Sequence, residues 1–251
     1  MLLLLALCFG WLTASAQNPD PRIAEFKALA GQVAEQRLSG AEEEGQLQER
    51  ALALLDQLVL EVLNRGPAQD IAALNRRLSS LVAQEPPVGE SYQVVPLGSP
   101  PRGLGYFALV ANFSLSGPGA VRVYAPAGGH YTLAGRVDRL AQPEFFDEYL
   151  ELVPVKASEI VFVTVAGRTD EFRTGSFAAW RLTPNGLHSV WSAELLEHST
   201  YELRPDGFHL WYCGEPDPQD RRRCARMLHD RYLWDGVAWK LAAREPAAPR
   251  P

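Results

Sequence analysis

The sequence predicts an α+β protein in which a helical N-terminal region of about three helices precedes an antiparallel all-β meander domain of two packed or blade-like sheets. Three observations carry this prediction. Apolar residues recur at helical spacing between Ile23 and Gln84, the period then drops to two beyond a proline-rich stretch, and the second half repeats a turn dipeptide between alternating segments.

The chain opens MLLLLALCFGWLTASA, an apolar run ending in the small-x-small pattern Ala14-Ser15-Ala16 that signal peptidases read. Residues 1–16 are therefore expected to be a signal peptide, and the protein to be secreted or periplasmic. Sixteen residues at helical rise reach roughly 24 Å, short of a hydrocarbon core of about 30 Å. The run departs from the usual signal in having no Lys or Arg before it, and Leu7 ahead of Cys8 stands where a lipoprotein signal requires a small residue. No later run approaches eighteen apolar residues, so no membrane span is expected after the signal.

Residues 17–84 carry three apolar stripes, through Ile23, Phe26, Ala30 and Val33, then Leu47, Ala51, Leu54, Leu58 and Val62, then Ile71, Leu74, Leu78 and Leu81. Ser39-Gly40, Gly66-Pro67 and Pro86-Pro87 punctuate them. Glu42, Glu43 and Glu44 open the second helix, where carboxylates favour the positive end of the dipole. Residues 85–103 hold five prolines without a helical period and read as a linker between separable regions.

From residue 104 to 244, about eleven short runs rich in Val, Phe, Tyr, Trp and Leu are divided by Gly, Pro, Asn and Asp, and residues 245–251 read as a disordered tail. Residues 159–167, EIVFVTVAG, are almost continuously apolar and predict a central strand covered on both faces. LTPNGLHSVW, LRPDGFHLWY and YLWDGVAWKL each set Asn-Gly or Asp-Gly between alternating strands, so Gly186, Gly207 and Gly236 are expected to have positive φ in tight hairpin turns.

Net charge of −6 and a pI near 5.4 argue against a polyanion binder, and no nucleic-acid partner is expected. The spacings of a nucleophile elbow, a zincin helix, a P-loop or a C-x-x-C pair do not occur. GLGYFA at 103–108 formally matches a dinucleotide fingerprint but leads into a strand, where that motif needs a helix. His130, His188 and His209 recur near turn glycines without forming a ligand set, so no metal or cofactor is expected. Asp147, Glu148 and Glu151 crowd together, but 148 points away from the other two in a strand. Glu215, Asp217 and Asp220 lack the glycine and final Glu of a calcium loop and stand beside three arginines.

Two leads survive. After the signal, Cys213 and Cys224 are the only cysteines left, one ending a predicted strand and one preceding the next, and they are expected to pair as a disulfide. Trp191 and Trp239 share phase with Leu187, Val237 and Leu241 and should be core, whereas Trp211 shares phase with His209 on the opposite face. Trp211 and His209 are therefore the candidate ligand-binding residues, with an unknown protein or a glycan as partner. The function expected from the residues is an exported, non-catalytic binding or scaffolding protein. The alternatives are a carbohydrate-binding module using exposed aromatics and a hydrolase with an unassigned acidic dyad.

Overall fold

The computed structural model describes residues 20–39, 44–65, 70–82, 91–98, 105–113, 119–137, 148–156, 161–168, 174–220 and 222–248. The signal read at 1–16 lies outside them. Among the described residues three helices, α1 (Pro21–Ser39), α2 (Glu44–Leu63) and α3 (Ile71–Val82), precede twelve strands. The strands form three four-stranded antiparallel sheets, each a simple meander. Sheet A holds β1 (Ser91–Gly98), β2 (Tyr106–Asn112), β3 (Ala120–Ala127) and β4 (His130–Val137). Sheet B holds β5 (Glu148–Lys156), β6 (Val161–Arg168), β7 (Gly175–Thr183) and β8 (Gly186–Leu196). Sheet C holds β9 (Thr200–Arg204), β10 (Gly207–Pro216), β11 (Cys224–Trp234) and β12 (Trp239–Ala247).

The α+β class with a β-meander holds, the strands make three sheets where two were expected, and residues 85–103, expected as a linker, supply one edge strand. Within residues 85–103, Ser91–Gly98 pairs with β2 and buries Tyr92, Val94 and Leu97. Its proline, Pro96, is tolerated because β1 is the sheet's edge, where a missing N–H need not interrupt a second ladder. The expected tail is likewise shorter, since Glu245 to Ala247 belong to β12 and face β11. The strand expected at 159–167 is β6, flanked by β5 and β7, with Val163, Thr164 and Val165 buried.

Alternation of side chains lets sheets A and B each bury two faces and sheet C one, and three apolar cores result among the described residues. Phe107, Leu109, Ala111 and Tyr124 of sheet A meet Phe26, Leu52, Leu55, Leu58 and Leu78 of the helices. Ala108, Val110, Val121 and Val123 on the other face of sheet A meet Trp180, Leu182 and Leu187 of sheet B. Val163, Val165, Phe177 and Ala179 on the far side of sheet B meet Phe208, Leu210 and Tyr232 of sheet C. The layers therefore run helices, A, B, C. Each fully buried leucine contributes about 1.5–3 kcal/mol to holding its layer.

Helices and sheet A thus share one apolar core. Polar contacts sharpen the fit. The Asn75 amide donates to Val94 O at 2.9 Å and accepts from Val94 N at 2.7 Å. The Asn64 amide does the same to Tyr131, at 3.2 and 2.7 Å. Each asparagine copies a peptide group against an edge strand, β1 on one side and β4 on the other. Between them Arg122, with no exposed surface, donates to Glu49 of α2 at 2.6 Å and lies 3.8 Å from Asp56. Asp56 in turn accepts the Tyr124 hydroxyl at 2.6 Å. Burial, then the Asp56 charge, pushes the Tyr124 phenol well above its ordinary pKa, so the hydroxyl stays a donor.

At the other end of the helices, Asp20 caps α1 by accepting the Arg22 N–H at 3.0 Å and binds the side chains of Arg22 and Arg77. Arg22 continues the network to Glu61, which also pairs with Arg65. The Arg22 side chain, opposed by burial and helped by its backbone N–H and Arg77, holds the Asp20 carboxyl far below the usual carboxylate range. Glu61 is lowered chiefly by Arg22 as well.

Two expectations come from these contacts. Since folded Asp20 and Glu61 release protons at lower pH than in the unfolded chain, the unfolded state takes up more protons on acidification. The urea midpoint should be flat from neutral pH to about 5.5 and fall as pH drops through the ordinary Glu and Asp range, with a shallower fall in Asp20→Asn. Parallel falls in both proteins would refute the assignment. Replacing Asn75 by Leu should cost about 1–3 kcal/mol in urea unfolding, because the Val94 N–H and carbonyl lose their partners at a partly buried edge.

Candidate functional site

Among the described residues sheet C is the layer farthest from the helices, and polar and aromatic groups gather at its turn end. The reasons are local. Thr183 pairs with Gly186 and Arg204 with Gly207, so Pro184-Asn185 and Pro205-Asp206 are the two-residue loops and each glycine is the first paired residue after its turn. Asn-Gly and Asp-Gly therefore do not form the central pair as the dipeptide suggested. Proline presets the first turn position, and a positive φ is needed one residue later than the dipeptide rule places it. Gly186, Gly207 and Gly236 have φ of 106°, 141° and 97°. At Gly207 a side chain would also collide with the backbone, since a Cβ there would lie 2.3 Å from the Tyr232 carbonyl oxygen. At Gly186 the nearest atom would be 4.0 Å away.

The tight seat of Gly207 brings the β9–β10 turn against the end of β11. There Leu203, Arg204, Pro205, Asp206, Leu233, Trp234 and Trp239 line an open groove of about 630 Å³. Trp234 and Trp239 face each other across the strands and close the four-residue loop between β11 and β12. Their rings meet edge to face with centroids 5.8 Å apart. Asp235 folds that loop by accepting the N–H groups of Val237 and Ala238, each at 2.8 Å. These two N–H groups, Ala238 first, lower the Asp235 carboxyl and keep it ionised.

The charges around the groove come in pairs. Arg204 contacts Glu202 at 2.6 Å, Asp206 lies 3.8 Å from Arg231, and Lys240 lies 3.6 Å from Asp235. Asp206 also accepts from His209 Nε2 at 3.2 Å, and His209 Nδ1 lies 2.9 Å from His229 Nε2. Desolvation pushes the Asp206 carboxyl up, but the His209 hydrogen bond and its other partners outweigh this and lower it. An ionised carboxylate only accepts, so His209 carries its hydrogen on Nε2. His209 Nδ1 and His229 Nε2 then share the second hydrogen bond. Asp206, His209 and His229 form a hydrogen-bonded chain from the groove across the outer face of sheet C.

Trp211 joins this chain on the outer face. Its ring stacks on His229 at 4.4 Å between centroids and 3° between planes, with His209 at 5.8 Å and the Arg204 guanidinium 5.5 Å above. Trp211 and His209 therefore share a face, but they are 5% and 3% exposed, so Trp211 is not the open platform that its phase suggested. Aromatic and cationic neighbours on adjacent strands cover it. Neither ring belongs to any of the three apolar cores.

The inner face of sheet C carries a different arrangement. Asp230, with no exposed surface, accepts from Tyr212 at 3.1 Å, from Tyr232 at 3.0 Å and twice from Arg244 at 2.7 Å. Burial, followed by the Asp230 charge, raises both phenols, which keeps them protonated as donors. The four groups satisfy one another and fix β12 to β11 and β10.

Other sequence leads do not converge. His130, His188 and His209 stand on β4, β8 and β10, in three different sheets. Among the described residues no group of three or more His, Cys, Asp or Glu is placed to hold a metal ion. Asp217 and Asp220 accept backbone N–H groups within their own loop, at 2.8 and 3.1 Å, and Glu215 lies 3.5 Å from Arg226. Asp147 and the side chains of Glu148 and Glu151 lie outside the described residues. Trp239 is core and Trp191 packs beside it, while Val237 and Leu241, expected to share that core, are 65% and 47% exposed in the last loop and the edge strand. Cys213 and Cys224 form a disulfide with Cα atoms 5.6 Å apart at the opposite end of β10 and β11 from the groove. No protein-family model matches the chain, and no curated protein is detectably similar to it in sequence.

Sequence reasoning missed Arg204, Asp206, His229 and Trp234 as members of one site. A usable clue lay in WDGVAW, where two tryptophans bracket a loop and must end on facing strands. The contribution of Arg204 and Asp206 depends on the Gly207 seat, which pattern alone does not show.

The glycine geometry gives a graded expectation. Gly186→Ala should cost about 1 kcal/mol in thermal or urea unfolding from φ strain alone. Gly207→Ala should cost clearly more, roughly 2–4 kcal/mol, because strain adds to a backbone collision. Equal losses would refute the tight seat. Cys213→Ser should lower stability by about 2–3 kcal/mol, measured against oxidised wild type.

Proposed function

We propose that the chain is an exported, non-catalytic binding or scaffolding protein whose binding surface is the groove at the turn end of sheet C. The observation that carries this reading is the composition of that groove. Two tryptophans and aliphatic side chains form its wall, and its charged groups already hold partners, which suits recognition and provides no activated nucleophile or isolated acid–base pair. Binding sites are typically apolar clefts with a few placed polar groups. Export is supported by the apolar run with its small-x-small end at Ala14-Ser15-Ala16 and by the Cys213–Cys224 disulfide, which suits an oxidising compartment.

The test uses the full chain expressed with residues 1–16 in place. A photo-crosslinking residue at Leu233, on the groove, should capture a bound molecule from the exported fraction, whereas the same residue at Leu133 on β4 should not. The exported protein should begin after Ala16 and yield no alkylatable thiol at Cys213 or Cys224 by non-reducing mass spectrometry. Retention in the cytoplasm with free thiols would overturn the export reading. Substrate turnover in a broad hydrolase screen, abolished by substitutions in the groove, would overturn the non-catalytic one.

A further inference from the structure

From the chemistry of the groove we infer that its ligand is a neutral, polyhydroxylated molecule, a saccharide. This rests on the binding reading above and assigns that site a ligand class. Two observations point the same way.

The first is shape and polarity. A pyranose ring has apolar C–H faces and a rim of hydroxyls, so it needs an aromatic or aliphatic wall beside a few donors and acceptors. Trp234, Trp239, Leu203 and Leu233 supply the wall, and Arg204 and Asp206 the polar groups.

The second is charge. Arg204, Arg231 and Lys240 stand against Glu202, Asp206 and Asp235, each cation within 3.8 Å of one of the anions. A charged ligand would meet a balanced field and would compete with an existing pair. A hydroxyl competes with neither, because a guanidinium has five N–H donors and a carboxylate about four acceptor positions, so both keep capacity after pairing. Oligosaccharide hydroxyls, each donor and acceptor at once, match that residual capacity.

The experiment is calorimetric titration of the disulfide-bonded full chain with hexamers of β-1,4-glucose, α-1,4-glucose, β-1,3-glucose, N-acetylglucosamine and mannose. Hexagalacturonate and a sulfated heparin hexamer serve as charged counterparts. At least one neutral hexamer should bind with Kd on the order of 0.1 mM, with the same Kd at low and high salt. Trp234→Ala should weaken it about tenfold or more, as expected for loss of a stacked aromatic. Leu233 is 40% exposed, so Leu233→Arg should leave the melting temperature close to wild type while filling the groove and abolishing binding. That variant decides the matter if Trp234→Ala fails to fold.

Absence of binding by every neutral hexamer at 10-fold the expected Kd, binding unaffected by Leu233→Arg, or binding confined to the charged hexamers would each overturn the saccharide. If Leu233 crosslinks a non-saccharide molecule, the binding function stands and the ligand class falls. If neither crosslinking nor saccharide binding occurs, both fall.

Discussion

The helix layer and the first sheet depend on a single charged group placed where charge is expensive. Arg122 lies between α2 and sheet A with no exposed surface. An isolated ion there would be strongly disfavoured, so the surrounding geometry is constrained to supply its counter-charges. Glu49 and Asp56 lie about two turns apart on one side of α2, and Asp56 is itself held by Tyr124 of the same strand as Arg122. Helix rotation, helix height and strand register are all restricted by that requirement. Apolar packing alone would tolerate sliding by a turn, whereas a guanidinium that must meet two carboxylates does not. Asn64 and Asn75 then finish the job at the margins, covering the free edges of β4 and β1 with side-chain amides. An edge strand is an aggregation hazard when its peptide groups are unpaired, and here the helical region removes part of that hazard on both sides of one sheet.

Much of this was legible in the residues and some was not, for definable reasons. Helices α1 to α3 and the strands beyond residue 104 announce themselves because periodicity is a local property. Residues Ser91 to Gly98 were hidden because five prolines in 85–103 outweighed the alternation of Tyr92, Val94 and the residues between, yet an edge position forgives Pro96. Asn64 and Asn75 look like ordinary polar positions on or just after helices, since nothing nearby in sequence identifies the strand each one pairs with. The disulfide was readable by counting cysteines. At the candidate site, alternation correctly put Trp211 and His209 on one face, but it carried no information about their neighbours on β11, so their burial was invisible.

Groove and outer-face chain meet at Asp206. One of its oxygens accepts from His209, the other faces Arg231, and the same residue forms part of the groove rim. Occupancy of the groove and the hydrogen bonding of His209 are therefore not independent properties, because a group that draws on Asp206 changes what His209 donates to. Trp211, stacked on His229, lies at the far end of that chain and couples the aromatic packing of the face to the state of one turn carboxylate.

The connectivity of the sheets has a consequence for how the molecule is made. In all three sheets every hydrogen-bonded neighbour is also the next strand along the chain, so no ladder waits for a distant segment. Contact order within each sheet is low, and the entropy of closing long loops is spent only on stacking one finished sheet over another. A polypeptide delivered through a narrow channel with its N-terminus leading could complete helices, then each sheet in turn, without leaving a half-paired ladder exposed while the remainder arrived. The Cys213–Cys224 bond belongs to the sheet that emerges last, so oxidation would act as a final lock on an already assembled stack and not as a guide to its formation.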